Sequence, residues 1–145
     1  MNRSALREAL AAVTIVALFG CGPGPLTSAR IEGAIAPTFA NLVHVQLSRM
    51  GLPLMMASDL NVTASCRKAA AASGATGAGD WVCTLVWQAP NRVSVRDEYD
   101  LSVGTDGCYT ATVESAQRGG PTIKASDGSD VRNLLDTFEG CFDTT

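Results

Sequence analysis

The sequence predicts an α+β fold: one N-terminal helical segment packed on an antiparallel sheet of about four strands, with a short C-terminal helix and two disulfides. Three observations lead there. Apolar residues recur at helical spacing near the start and near the end of the expected single domain, residues 28–145. Between those stretches they alternate with polar residues, the period of a strand. Four cysteines, Cys66, Cys83, Cys108 and Cys141, fall in or beside the alternating stretches.

The helical segment comes first. Thr27 or Ser28 can cap it, because a short side-chain oxygen accepts from the free amides of the first turn. Ile31, Ile35, Phe39, Leu42, Val43, Leu47 and Met50 follow at helical spacing. Pro37 interrupts the run, since its ring clashes with the carbonyl four residues back. That residue is Gly33, so a kinked helix, or two helices breaking at Ala36-Pro37, is expected. Gly51 and Pro53 supply the stop.

Strands occupy the middle. Leu60, Val62, Ala64 and Cys66 alternate with Asn61, Thr63 and Ser65. Residues 67–79 are rich in Ala and Gly and read as a loop. In the next strand Trp81, Cys83, Leu85 and Trp87 share one face, and Val82, Thr84 and Val86 share the other. Apolar groups on both faces predict a central position. Residues 99–103 and 108–113 form a hairpin whose loop follows from parity. A two-residue loop, Asp106-Gly107, pairs core residues with surface ones. A three-residue loop, Thr105-Asp106-Gly107, sets Val103 opposite Tyr109, Leu101 opposite Ala111 and Tyr99 opposite Val113, all on one face. Gly107 suits the left-handed position that closes it. Cys108 then points to the opposite face, across from Gly104.

Ser129 can cap a last helix in which Val131, Leu134, Leu135 and Phe138 fall at i, i+3, i+4 and i+7, with Gly140 ending it. Cys66 and Cys83 lie on apolar faces of neighbouring strands, which favours the pairs Cys66–Cys83 and Cys108–Cys141. Parity leaves the other two connectivities open.

Before this domain stands a segment of another kind. Arg3 and Arg7 give a positive start, and residues 9–19 form an apolar run about half the length that spans a bilayer. The run ends in Leu18-Phe19-Gly20-Cys21. This motif resembles the lipobox of bacterial lipoproteins. The resemblance implies a signal peptide over residues 1–20, cleavage before Cys21, and lipid on its sulfur. It also removes the odd cysteine of five. Residues 21–27 then form a Pro/Gly tether that keeps the domain close to the membrane. The expected location is the extracytoplasmic face of the bacterial cell membrane. Trp81-Val82-Cys83-Thr84, Asp106-Gly107-Cys108-Tyr109 and Gly140-Cys141-Phe142-Asp143 together resemble small actinobacterial envelope lipoproteins of unknown function. That resemblance implies a lineage and a location, with no catalytic residues to carry over.

Eleven basic and 14 acidic residues give a net charge of −3, and removing Arg3, Arg7 and Glu8 leaves the remainder more acidic. With no basic stripe, no nucleic-acid partner is expected. Membrane attachment must come from the lipid on Cys21 and not from charge. No cofactor and no metal are expected: the cysteines lack zinc-site spacing, and His44 is the sole histidine.

Chemical candidates are few. His44 shares a helix face with Asn41 and Ser48 and reads as a solvated residue, because a general base needs an oriented partner. Ser65-Cys66-Arg67-Lys68 matches Ser-x-x-Lys, but on a strand and beside a disulfide cysteine. Asp97, Glu98 and Asp100, or Asp127 and Asp130, could attract calcium, although neither group has regular ligand spacing. Asn61-Val62-Thr63 is a formal glycosylation sequon. Met50, Met55, Met56 and Trp87 form the candidate apolar pocket, with core packing as the competing reading. The expected function is therefore a non-enzymatic, lipid-anchored envelope protein that binds a protein or envelope component. A carrier of a small apolar ligand or lipid is the alternative. A hydrolase ranks last, for want of a nucleophile and base.

Overall fold

The computed structural model describes residues 24–69, 74–113 and 119–142. Cys21, the leader before it and the first residues of the tether lie outside the described residues.

Helix α1 spans Ser28–Arg49. Thr27 caps it, its side chain accepting from the Arg30 amide. The helix runs through Pro37 without dividing. Pro37 and Gly33 are both exposed, so the carbonyl left without a donor faces solvent. At the far end the Leu52 amide donates to Leu47 and the Gly51 amide to Ser48, with Gly51 at positive φ. That pair of bonds is a Schellman closure, which satisfies two terminal carbonyls. Ile31, Ile35, Phe39, Val43 and Leu47 are the buried stripe. A short 3-10 turn, Ala57–Leu60, follows and buries Leu60.

Among the described residues there are seven strands: β1 Thr63–Lys68, β2 Gly79–Gln88, β3 Ser94–Val103, β4 Cys108–Val113, β5 Thr122–Lys124, β6 Asp130–Arg132 and β7 Thr137–Cys141. Five of them form an antiparallel sheet in the order β1-β2-β3-β4-β7, so the sheet has one strand more than expected. β5 and β6 form a separate two-stranded ribbon. β2 lies between β1 and β3, as its two apolar faces require. The β3–β4 register pairs Val103 with Tyr109, Leu101 with Ala111 and Tyr99 with Val113, the register of the three-residue loop. All six residues are buried.

One face of the sheet meets α1. Phe39 lies edge-on to Trp87 and Tyr99, with ring centroids 5.9 Å from each, and Tyr99 stacks edge-on to Phe138 at 5.3 Å. Such contacts add about 0.5–1.5 kcal/mol beyond area burial. The Tyr99 hydroxyl donates to the Leu135 carbonyl at 2.7 Å, so this buried phenol is satisfied.

Both expected disulfides form. Cys66 faces Cys83 across β1–β2, and Cys108 faces Cys141 across β4–β7. Cys66–Cys83 lies on the inner face and Cys108–Cys141 on the outer one, because Cys108 alternates with the buried Tyr109.

The C-terminal helix does not form. Its residues divide between β6, a turn at 134–136, and β7. A helix that short is marginal alone, because nucleation is costly. Two local features also oppose it. The Asn133 side-chain oxygen accepts from the Leu135 amide, an Asx-type bond that competes with helical geometry. Pairing Cys108 with Cys141 in register lays residues 137–141 along β4 as an edge strand. Ser129 accordingly caps no helix. Its amide and hydroxyl donate to Asp127 Oδ1, at 2.9 and 2.6 Å.

Candidate functional site

Two ends of the molecule are chemically distinct, and α1 separates them by about 33 Å at 1.5 Å per residue. At the first end, the chain leading into α1 is tied to the start of β2. The Gly77 amide donates to the Leu26 carbonyl at 2.7 Å, and the Trp81 indole donates to Gly77 at 3.1 Å. Lys68 donates to the Ala78 carbonyl and lies 5.2 Å from the centre of the Trp81 ring. The residues that lead back to Cys21 therefore leave from this end.

At the second end sits the segment that joins α1 to β1. His44 and this segment hold one another: a 2.7 Å hydrogen bond joins His44 Nδ1 and the Met55 carbonyl. Since a carbonyl only accepts, Nδ1 carries the proton. His44 thus anchors a loop through a main-chain oxygen. Leu52, Leu54 and Met56 on that loop are exposed, and so is Val93 on the β2–β3 turn. Met55 and the 88–92 turn line one open polar groove of about 560 Å³, which places loop and turn side by side.

The candidate pocket residues separate. Met50 and Trp87 line a recess of about 160 Å³ together with Leu47, Ile123 and Leu135. Met55 belongs to the groove, and Met56 is in solvent. The reason is the Schellman closure, which turns the chain away from the core just after Met50. The Trp87 indole donates to Asp97 Oδ2 at 2.8 Å, fixing the ring that forms one wall of the recess.

Two polar residues also line this recess, and neither is among the sequence candidates. Gln46 is 3 % exposed; its Oε1 accepts from the Leu134 amide at 2.7 Å, while its Nε2 is buried without a hydrogen-bond partner. Asn133 is equally buried, but its side chain is committed to Gly120 and Leu135. A signal for Gln46 exists in the sequence: it falls among Val43, Leu47 and Met50 at i+3 spacing, inside an apolar stripe. Asn133 carries no such signal, since only folding brings it to the helix.

The remaining candidates do not assemble into chemistry. Along β3, Asp97 points inward to Trp87 while Glu98 and Asp100 are exposed on the other face, so the three cannot converge on one cation. Among the described residues, no group of three or more His, Cys, Asp or Glu is placed to hold a metal ion. Asp130 pairs with Lys124 across the ribbon at 2.8 Å, both exposed. Asp127 titrates below the ordinary carboxylate value because Ser129 donates to it. Ser65 and Lys68 are on β1 with the bridged Cys66 between them. Asn61 is exposed in the left-handed conformation just before β1, not within the strand.

Burial raises Tyr109 above the usual phenol value. Thr38 opposes this more weakly, because its hydroxyl donates to Ala34 and no hydrogen bond of proper geometry joins it to Tyr109. Among the described residues, no helix is long and apolar enough to cross a membrane. No family model matches the chain, and no curated protein and no solved structure is significantly similar to it.

Proposed function

We propose that this chain is a lipid-anchored protein of the cell envelope, held on the extracytoplasmic face through Cys21, that presents an apolar tip to a protein partner. The observation that carries the reading is the position of Leu52, Leu54 and Met56. They are exposed on the loop after α1, at the end of the helix opposite to where the chain leads back to Cys21. Three residue-to-residue steps lead from Cys21 to Gly24, a reach of about 10 Å when extended. An anchor at Cys21 therefore holds one end of the domain near the lipid and directs the apolar loop outward. Exposed apolar groups of this size are a liability unless something covers them. Methionine side chains adapt to a partner surface at little conformational cost.

Two measurements test the reading. Mass spectrometry of the mature N-terminus is expected to find a lipid-modified Cys21, and Cys21→Ala is expected to release the protein from membranes. A photo-crosslinker at Met56 is expected to capture a protein adduct in intact cells, lost in Leu54→Ser. An unmodified Cys21 sinks the anchoring half. A Met56 crosslinker that captures only lipid sinks the partner half.

A further inference from the structure

We infer that the recess between α1 and the β5–β6 ribbon is a binding site for a small, compact apolar molecule that carries one hydrogen-bond acceptor, such as a ketone or ester carbonyl. This site stands on the recess itself and is independent of the anchoring reading.

The size and lining set the class of ligand. The recess has a volume of about 160 Å³. An apolar cavity of about 150 Å³ is enough to take up a molecule the size of benzene. Leu47 of α1 and Met50 at its C-cap, Trp87 of β2, Ile123 of β5 and Leu135 supply apolar contact from four separate parts of the chain. Among the described residues, no charged one lines it, so an ion would lose its hydration without compensation.

Gln46 supplies the specificity. Its amide cannot flip to hide the donor, because Oε1 is held by the Leu134 amide at 2.7 Å. Gln46 lines the recess, and its Nε2 is buried without a partner. A buried amide donor without an acceptor is a standing free-energy penalty, and an incoming acceptor relieves it. A hydrocarbon of equal size fills the same volume without that gain. Asn133 does not compete for the ligand, since its side chain already donates to Gly120 and accepts from Leu135.

The ribbon supplies one wall of the site. Ile123 reaches the recess from β5, and the ribbon is joined to α1 by the Ser126 amide donating to the Met50 carbonyl at 2.8 Å. The pairing of Lys124 with Asp130 is exposed and adds little rigidity. Displacing this wall to admit a ligand leaves the five-stranded sheet intact.

The test uses cyclohexanone and toluene, which have equal numbers of heavy atoms and differ in the acceptor. Titrated into the full chain, cyclohexanone is expected to shift the NMR signals of the Gln46 side-chain amide and the Trp87 indole saturably. Gln46→Glu, read at a pH high enough to ionise it, keeps the oxygen that holds Leu134 and replaces the donor by a second oxygen. In this variant cyclohexanone affinity is expected to fall about tenfold, the worth of one hydrogen bond to a buried donor, while toluene affinity changes less than twofold. Loss of both probes alike, or retention of cyclohexanone affinity, overturns the proposal. So do shifts in the parent chain that never saturate. Should Gln46→Glu fail to fold, Ile123→Trp fills the recess from the ribbon and leaves Gln46 in place. It is expected to abolish the saturable shifts of both probes, and their persistence overturns the site.

Discussion

The two disulfides join directly opposed residues of one sheet, but at opposite edges and on opposite faces. Cys66–Cys83 ties edge strand β1 to β2 on the inner face, where both sulfurs are buried beneath α1. Cys108–Cys141 ties edge strand β7 to β4 on the outer face, where Cys141 is exposed. Loop entropy ranks the second bridge higher. It closes 33 residues against 17, which in the chain-entropy model is about 3.7 against about 3.1 kcal/mol. Burial reverses that order. Removing the inner pair also opens space in the core, and a large-to-small change there adds a cavity term of a kcal/mol or more. An open sheet edge is thus secured in two ways: by a bridge that is part of the core, and by a clamp laid over its outer surface.

The strongest way to break the comparison is to remove each bridge in turn. Cys66→Ala with Cys83→Ala is expected to lower stability by about 4–5 kcal/mol, against about 3–4 kcal/mol for Cys108→Ala with Cys141→Ala. Urea unfolding of both double variants measures the order. An equal or inverted order shows that loop closure alone sets the scale. In the parent chain, mild reductant followed by mass-labelling of free thiols is expected to open Cys108–Cys141 first, because it is the exposed bridge.

Two single substitutions probe what stands beside each bridge. Beside the outer one, Tyr109 lies over Gly140, so that a Cβ built at Gly140 would meet the Tyr109 hydroxyl and ring at 2.5–2.9 Å. Gly140→Ala is expected to cost about 2 kcal/mol, since the overpacking outweighs the smaller gain from removing a strand glycine. Beside the inner one, Glu32 of α1 accepts from the Cys66 amide at 2.8 Å. That contact satisfies an outward-facing amide of an edge strand. Glu32→Ala is expected to cost about 1 kcal/mol, and Glu32→Gln, which keeps an acceptor, less. Thermal unfolding reads both.

The smallest expected effect is a pH dependence from the buried Tyr109. A tyrosine whose folded value lies above its unfolded one, near 10, gives up its proton first in the unfolded chain. Its contribution to stability is therefore complete below about pH 10 and is lost as pH rises through the folded value. Tyr109→Phe is expected to flatten the stability profile above pH 10 relative to the parent chain, as read by urea midpoints.

Much of the sheet was legible because parity is a local rule. Alternation along residues 81–87 and 99–113 assigned each side chain to a face, which set the hairpin register and favoured the two bridges that form, although parity alone left other pairings open. The C-terminal segment was misread because the spacing of Val131, Leu134, Leu135 and Phe138 satisfies a helical period by coincidence. The pairing partner that overrides it, β4, is more than 20 residues earlier in the chain. The candidate pocket was half legible. Met50 and Trp87 do meet, but the turn after Met50 sends Met56 into solvent.

By itself the sequence determined the apolar run that ends just before Cys21, a helix capped at Thr27 or Ser28, and the inner and outer faces of the central strands, and it favoured one pairing of four cysteines. Each rests on periods or caps that a few neighbouring residues define. Only the tertiary structure decided that β7 replaces a helix, that Gln46 and Asn133 face one recess, and that Leu54 and Met56 remain outside the core. Those outcomes depend on segments far apart in the chain competing for the same surface, and no local pattern records who wins.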